Sequence, residues 1–153
     1  KKWDKAIETL IKHLGLKKAV WKDERCASMR FISRCYQNLN RYDEAEDWLK
    51  KAIDEAPYLR DAYMEMALLQ YKMENWDEIE KNCLEALKIT NNPKSYINEP
   101  FTYDETVYDL LSITYFHKQK YEESLKMANI ALQMNPKNVR ILNNINLIEQ
   151  YIK

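Results

Sequence analysis

Two arginines one helical turn apart, Arg30 and Arg34, are the most chemically suggestive pair in the sequence. Guanidinium groups at i and i+4 share a helix face and together can grip a carboxylate or a phosphate. Glu65, Asp61 and Asp109 fall on the matching face of later segments, so pairing within the protein competes for the same two arginines. Other constellations are missing. Cys26 and Cys35 are nine residues apart, on different sides of a helix, and neither fits a zinc spacing. His13 and His117 lie far apart in the chain. A single glycine cannot build a phosphate-cradling loop. The carboxylates spread over helix surfaces instead of pairing for acid–base work. No catalytic, cofactor-binding or metal-binding residue is expected, and the chain reads as a non-enzyme.

The elements that would position the arginines repeat. Cys26–Pro57 contains two amphipathic stretches and a tight turn at Asn40-Arg41. Met29, Ile32, Ser33 and Tyr36 form the inner face of the first stretch, and Ala45, Leu49 and Ala52 that of the second. Pro57 closes the unit because proline cannot continue a helix. The pattern Tyr42-Asp-Glu-Ala45 returns as Trp76-Asp-Glu-Ile79 and as Tyr121-Glu-Glu-Ser124. Ser33, Ala67 and Ser112 share one small-residue slot, which lets paired helices approach closely. Ile79 replaces the small residue after the second turn, and Gln70 stands where an aromatic is expected. The predicted layout is a half-repeat helix at 1–15, repeats at 26–57, 60–90 and 106–136, an inserted loop at 91–105 and a capping helix at 138–153. All belong to one array, and the expected fold is all-α.

The joints carry specific expectations. Gly15, past the first helix, is expected in a left-handed cap, and Asp23 at the start of the next. Trp3 to Tyr42 is 39 residues and Trp76 to Tyr121 is 45, against a period of about 34. The second excess is the aromatic-rich loop 91–105, with Tyr96, Ile97, Phe101 and Tyr103 and two proline steps that disfavour helix. It either packs on the array or helps form a binding surface. The last segment offers Val139, Leu142, Ile145 and Ile148 as one apolar stripe. A solenoid needs such a terminal helix, apolar inside and polar outside. Trp3–Leu14 reads as a second helix whose partner would lie upstream, so a fragment of a longer protein is expected.

Composition bounds the function. One glycine and four prolines argue against a many-turned β fold. Net charge is zero, which disfavours nucleic acid as a partner. Residues 1–41 nevertheless carry a balance of +7 and residues 42–153 one of −7, suited either to two solvated faces or to an acidic partner or second copy. Three cysteines at core positions read as reduced thiols, and no apolar run is long enough to span a bilayer. A cytoplasmic protein is the expectation.

First helices of such hairpins line the concave side, and their outward positions give the candidate partner-binding residues. These are Arg30, Arg34 and Asn38, then Glu65, Leu68 and Tyr71, then Asp109, Ile113, Phe116 and His117, with Gln37, Asp61, Met64 and Lys72 on the same faces. Met64, Leu68, Ile113 and Phe116 are apolar where solvent is expected, so either loop 91–105 or a partner covers them.

With aromatics, small residues and prolines in register three times, the chain resembles the tetratricopeptide repeat family over nearly its whole length. That resemblance implies a right-handed α-solenoid of antiparallel helix pairs that binds a protein or peptide. The carboxylate clamp of chaperone-binding members wants Lys and Asn at Arg30 and Arg34, Asn at Glu65, and Lys and Arg at Thr106 and Leu110. Only Arg30 keeps a fitting charge. More narrowly, Trp21–Tyr36, Glu55–Leu69 and Tyr96–Phe116 resemble the C-terminal repeat region of bacterial family 2 glycosyltransferases. This implies the non-catalytic module of a sugar-transferring enzyme, positioning an acceptor or mediating assembly. Its partner would then be the upstream catalytic domain or a second copy. The alternative is a free-standing adaptor with a peptide in its groove.

Overall fold

The computed structural model describes residues 1–152, which form eight α-helices and one 3₁₀ turn, with no strand among them. The helices are α1 (Lys2–Leu14), α2 (Lys22–Asn38), α3 (Tyr42–Glu55), α4 (Arg60–Lys72), α5 (Trp76–Leu87), α6 (Thr106–His117), α7 (Tyr121–Met134) and α8 (Val139–Glu149). Three hairpins, α2/α3, α4/α5 and α6/α7, stack in chain order, with α1 against α2 and α8 against α7. The 3₁₀ turn, Pro100–Thr102, lies in the connection between α5 and α6 and touches both α4 and α6. No described helix is long and apolar enough to cross a membrane.

One turn design joins every hairpin. Asn40, Glu74 and Gln119 each have positive φ, at 56°, 53° and 60°. The next amide in each case donates back five residues: Arg41 to Tyr36, Asn75 to Gln70 and Lys120 to Tyr115. This is the Schellman ending, in which a left-handed residue lets the last helical carbonyls find donors. The sequence supplies no glycine for it, so three L-residues take the left-handed conformation.

Small residues set the spacing inside each hairpin. Ser33 Oγ donates to the Ala45 carbonyl at 2.8 Å, and Ser124 Oγ donates to the Ser112 carbonyl at 2.7 Å. These bonds satisfy buried hydroxyls and fix close backbone approach. In the middle hairpin Ile79 fills the equivalent place, fully buried with Ala67, Cys83 and Ala86. The larger side chain is accommodated because Ala67 opposite it is small. Gln70 is buried in its aromatic's stead and leans its amide nitrogen on the Met66 sulfur.

Several local expectations are corrected. Gly15 is right-handed (φ −82°), because α1 tightens at its end and the Gly15 amide reaches the Ile11 and Lys12 carbonyls. Asp23 does not start α2. Extended Trp21 precedes the helix, and Asp23 lies inside its first turn, accepting from the Tyr58 hydroxyl at 2.5 Å. Met64 is a core residue, packed with Ile79, Val107 and Leu111 where α4 meets the next hairpin. In α8 the buried stripe is Ile141, Ile145 and Ile148 against Ala128 and Ala131, while Val139 and Leu142 are exposed. Val139 opens the helix, and Cβ vectors tilt toward a helix N-terminus, so its side chain overhangs the end of the core. The final residue of the expected capping segment lies outside the described residues.

Candidate functional site

The concave side is built by α2, α4, α6 and α8, and its two halves differ. Where Arg30 of α2 meets Asp61 and Glu65 near the start of α4, the groove is filled. Arg30 is 2% exposed and donates from Nη1 to Glu65 Oε1 at 2.7 Å and from Nη2 to the Ile97 carbonyl at 2.7 Å. Arg34 donates to the same Glu65 oxygen at 2.5 Å and to Glu99 Oε1 at 2.6 Å. The Glu99 amide in turn donates to Asp61 Oδ1 at 2.7 Å. Burial pulls the Arg34 pKa down, but hydrogen bonds and charge from Glu65 and then Glu99 outweigh it and raise it overall. Arg34 stays charged, and both arginines turn donors inward, although the buried Arg30 Nε finds no partner among the described residues.

The segment that fills this half is the α5–α6 connection. Arg60 pins its ends, donating from Nε to the Ile89 carbonyl at 2.7 Å and from Nη1 to the Thr102 carbonyl at 3.2 Å. The same guanidinium lies 4.2 Å over the Tyr103 ring. Phe101 packs into the α4/α5/α6 core. Tyr96 stays exposed at the rim, tilted against Trp21. Loop 91–105 therefore covers Arg30, adds Phe101 to the core around Met64 and leaves Arg34 part-exposed.

Toward the C-terminal ends of α2, α4 and α6 the groove is open. A recess of about 280 Å³ is lined by Arg34, Gln37, Glu65, Leu68, Tyr71, Lys72 and Phe101. Tyr71 also borders a second recess of about 330 Å³, formed with Ile113, Phe116 and His117 from α6 and Arg140, Asn144, Leu147 and Ile148 from α8. The His117 ring stacks on Trp76, centroids 4.0 Å apart and planes 6° from parallel. Phe116 meets Tyr121 and Tyr151 edge to face. Stacking of this kind holds the wall of the recess in one shape. Arg140 grips Asp109 through both Nη atoms, and those hydrogen bonds raise its pKa, so it stays charged.

The candidate residues sort accordingly. Leu68, Tyr71, Ile113, Phe116 and His117 come together along the open half. Arg30 is buried beneath the insert and bonded to Glu65, which at 5% exposure lies at the floor of the recess beside Arg34. Asn38 turns its amide back onto the Arg34 carbonyl, 2.8 Å away on its own helix. Asp109 sits behind Arg140. Sequence reasoning missed Arg140, Asn144, Leu147 and Ile148, because α8 read only as a cap; a second polar-apolar face beside the isoleucine stripe was the available signal. It also missed Glu99 and Arg60, whose roles depend on where the long connection folds. Among the described residues no three potential metal ligands converge.

Residues 31–58 match the model of the tetratricopeptide repeat. No curated protein matches the sequence at a significant level. Solved structures do share the fold. The first TPR of Spaghetti (RPAP3), bound to the HSP90 peptide SRMEEVD, aligns over 84% of this chain and 93% of its own at 22% identity, TM-score 0.71. The second TPR domain of human RPAP3, in complex with the HSP70 peptide SGPTIEEVD, aligns over 83% and 98% at 15% identity, TM-score 0.68. A crystal structure of MamA aligns over 97% and 77% at 14% identity, TM-score 0.75. At such identities the likeness is one of architecture: an all-α tetratricopeptide solenoid of antiparallel helix pairs.

Proposed function

We propose that this chain is a non-catalytic interaction scaffold that holds a peptide or protein segment in the open half of its concave groove. The observation that carries the reading is the continuous recess wall through exposed Tyr71, half-buried Ile113 and exposed Leu147, beside a half that the protein fills for itself. Two of the structures with this fold were solved with bound peptides, which supports a peptide-holding use of the fold. A photo-crosslinking residue at Ile113 is expected to capture a partner from cells, and one at Lys81 on exposed α5 is not. Equal capture at both positions would remove the groove from the account.

A second reading rests on the three segments that resemble family 2 glycosyltransferases. Together they contribute Arg30, Arg34, Asp61, Glu65, Ile97 and Glu99, so they meet in the filled half of the groove. In this reading the array is the acceptor-positioning or assembly module of a sugar-transferring enzyme, with a catalytic domain or a second copy as neighbour. The full-length protein should then transfer sugar from a nucleotide sugar, and lose acceptor affinity without loss of donor hydrolysis when the array is deleted. A full-length protein with no nucleotide-binding α/β domain excludes it.

A further inference from the structure

We propose that the connection between α1 and α2, with Tyr96 of the long insert beside it, docks this protein on an anionic lipid surface. None of these residues lines either groove recess, so the proposal stands apart from the groove reading. Exposure is the first argument. Leu16, Val20, Trp21 and Tyr96 are 59%, 75%, 43% and 84% exposed. Tyr96 and Val20 are the most exposed large apolar side chains among the described residues. Such side chains are ordinary when scattered singly. These converge: Leu16, Val20 and Trp21 fall within six residues, and the Trp21 and Tyr96 rings meet with centroids 6.3 Å apart.

The second argument is that the backbone holds them outward. Arg25, in the first turn of α2, donates from Nη1 to the Leu14 carbonyl at 2.8 Å and the Ala19 carbonyl at 3.2 Å. Its Nε donates to Glu55 Oε1 at 2.7 Å, tying the connection to the end of α3. Within the connection the Ala19 amide donates to the Leu16 carbonyl and the Val20 amide to the Lys18 carbonyl, each at 3.0 Å. This is a bonded turn with half-buried Ala19 on its inner side, and it leaves Leu16, Val20 and Trp21 in solvent.

Charge is the third. Lys17, Lys18 and Lys22 alternate with the apolar residues, and Lys94 lies two places before Tyr96. All four are exposed, and none makes an ion pair among the described residues. Most neighbouring acids are engaged. Asp23 accepts from Tyr58, Glu24 faces His13 at 3.8 Å and Glu55 holds Arg25. The insert's own acids, Glu99, Asp104 and Glu105, bond Arg34, the Thr106 amide and Asn135. Asp54, near the end of α3, is exposed without an ion pair among the described residues. The opposite edge of the solenoid, where α3, α5 and α7 begin, carries Asp43, Glu44, Asp77, Glu78, Glu122 and Glu123 in first turns. An anionic surface therefore attracts one edge and repels the other, which orients the protein. Rings and aliphatic groups beside lysines suit the headgroup boundary, because the lysine stems bury while their ammonium groups reach phosphate. Protruding apolar groups favour lipid over a protein partner, since a lipid surface yields to them without a preformed recess. No described helix can cross a membrane, so the attachment is peripheral.

The test is flotation of the unaltered chain with vesicles of phosphatidylcholine alone, or of phosphatidylcholine mixed with phosphatidylserine. Binding to the mixed vesicles should be about tenfold or more stronger, and should weaken in high salt. Lys17→Glu combined with Lys18→Glu should weaken it about tenfold or more, and Val20→Asp about fivefold or more. Lys81→Glu combined with Lys126→Glu makes the same charge change on exposed positions of α5 and α7 and should stay within about twofold. All five positions are exposed, and circular dichroism melting checks that each variant folds. The three native thiols are buried, so an environment-sensitive fluorophore can be placed on Val20→Cys or Lys126→Cys. Mixed vesicles should shift the first to the blue and leave the second unchanged. Equal binding to neutral and mixed vesicles overturns the anionic surface. An equal loss from the α5/α7 pair overturns the patch, and a silent fluorophore on Val20→Cys overturns the apolar contact. Absence of vesicle binding by the unaltered chain overturns the proposal and assigns the patch to a protein partner.

Discussion

Replacing Arg30 with methionine tests whether the filled half of the groove is held by charge. Methionine keeps much of the stem volume and removes the guanidinium. Glu65, 5% exposed, would then share only Arg34, and the buried Asp61 would lose its nearest cation, 3.7 Å away. Removing one partner of a buried pair leaves an uncompensated charge and costs about 3–5 kcal/mol. Two arginines face three carboxylates here, so losing a cation adds to an existing excess of negative charge. The upper part of that range is therefore expected. At a urea slope of about 2 kcal/mol per molar, the unfolding midpoint should fall by about 2 M. The Ile97 carbonyl also loses its donor, so limited proteolysis should newly cleave within 91–99. The companion variant Glu99→Gln removes a half-exposed charge from the excess side and should cost less than about 1 kcal/mol. Adding Glu65→Leu to Arg30→Met should restore part of the loss, because it removes the stranded carboxylate. A loss below about 1 kcal/mol for Arg30→Met, or simple additivity in the double variant, would refute the reasoning.

Three further outcomes follow from the core and the turns. Gln119→Gly relieves a left-handed L-residue and should raise stability by roughly 0.5–1 kcal/mol in chemical denaturation, since glycine's own entropy offsets part of the gain. Ser33→Leu should cost about 2–4 kcal/mol, combining overpacking with loss of the bond to the Ala45 carbonyl, again read by denaturation. Burial pushes the Cys26 and Cys83 thiols up to about 12, so a disulfide reagent at neutral pH should label them only as fast as the protein unfolds. Their folded pKa values lie above the unfolded value near 9, so folding favours the protonated thiol. That contribution is complete below pH 9 and should drain away between pH 9 and about 12, seen as a falling melting temperature.

The helical framework was legible because each hairpin repeats the same physical requirements in register. Ser33 with Ala45, and Ser112 with Ser124, announce close helix approach, and Tyr42, Trp76 and Tyr121 mark the second helices to the residue. The turns were legible in position but not in conformation. Asn40, Glu74 and Gln119 are left-handed because the following helix must reverse there, a tertiary demand that Asn tolerates and that overrides residue preference at Glu74 and Gln119. The site was legible only in part, for a related reason. Helical spacing names a face and does not say what covers it. Arg30 and Glu65 carry the right chemistry on the right face, yet Glu99 and the Ile97 carbonyl, more than 60 residues further along from Arg30, decide that Arg30 is sealed. No local pattern encodes the path of a connection between α5 and α6 that crosses back over α4. The same logic explains Arg140 and Leu147: a helix that closes the array on one face, through Ile141, Ile145 and Ile148, has another free to line the groove. In this solenoid the open groove proposed for binding is therefore what remains after the insert and the terminal helix have taken their places, and its apolar character is set as much by them as by the repeats.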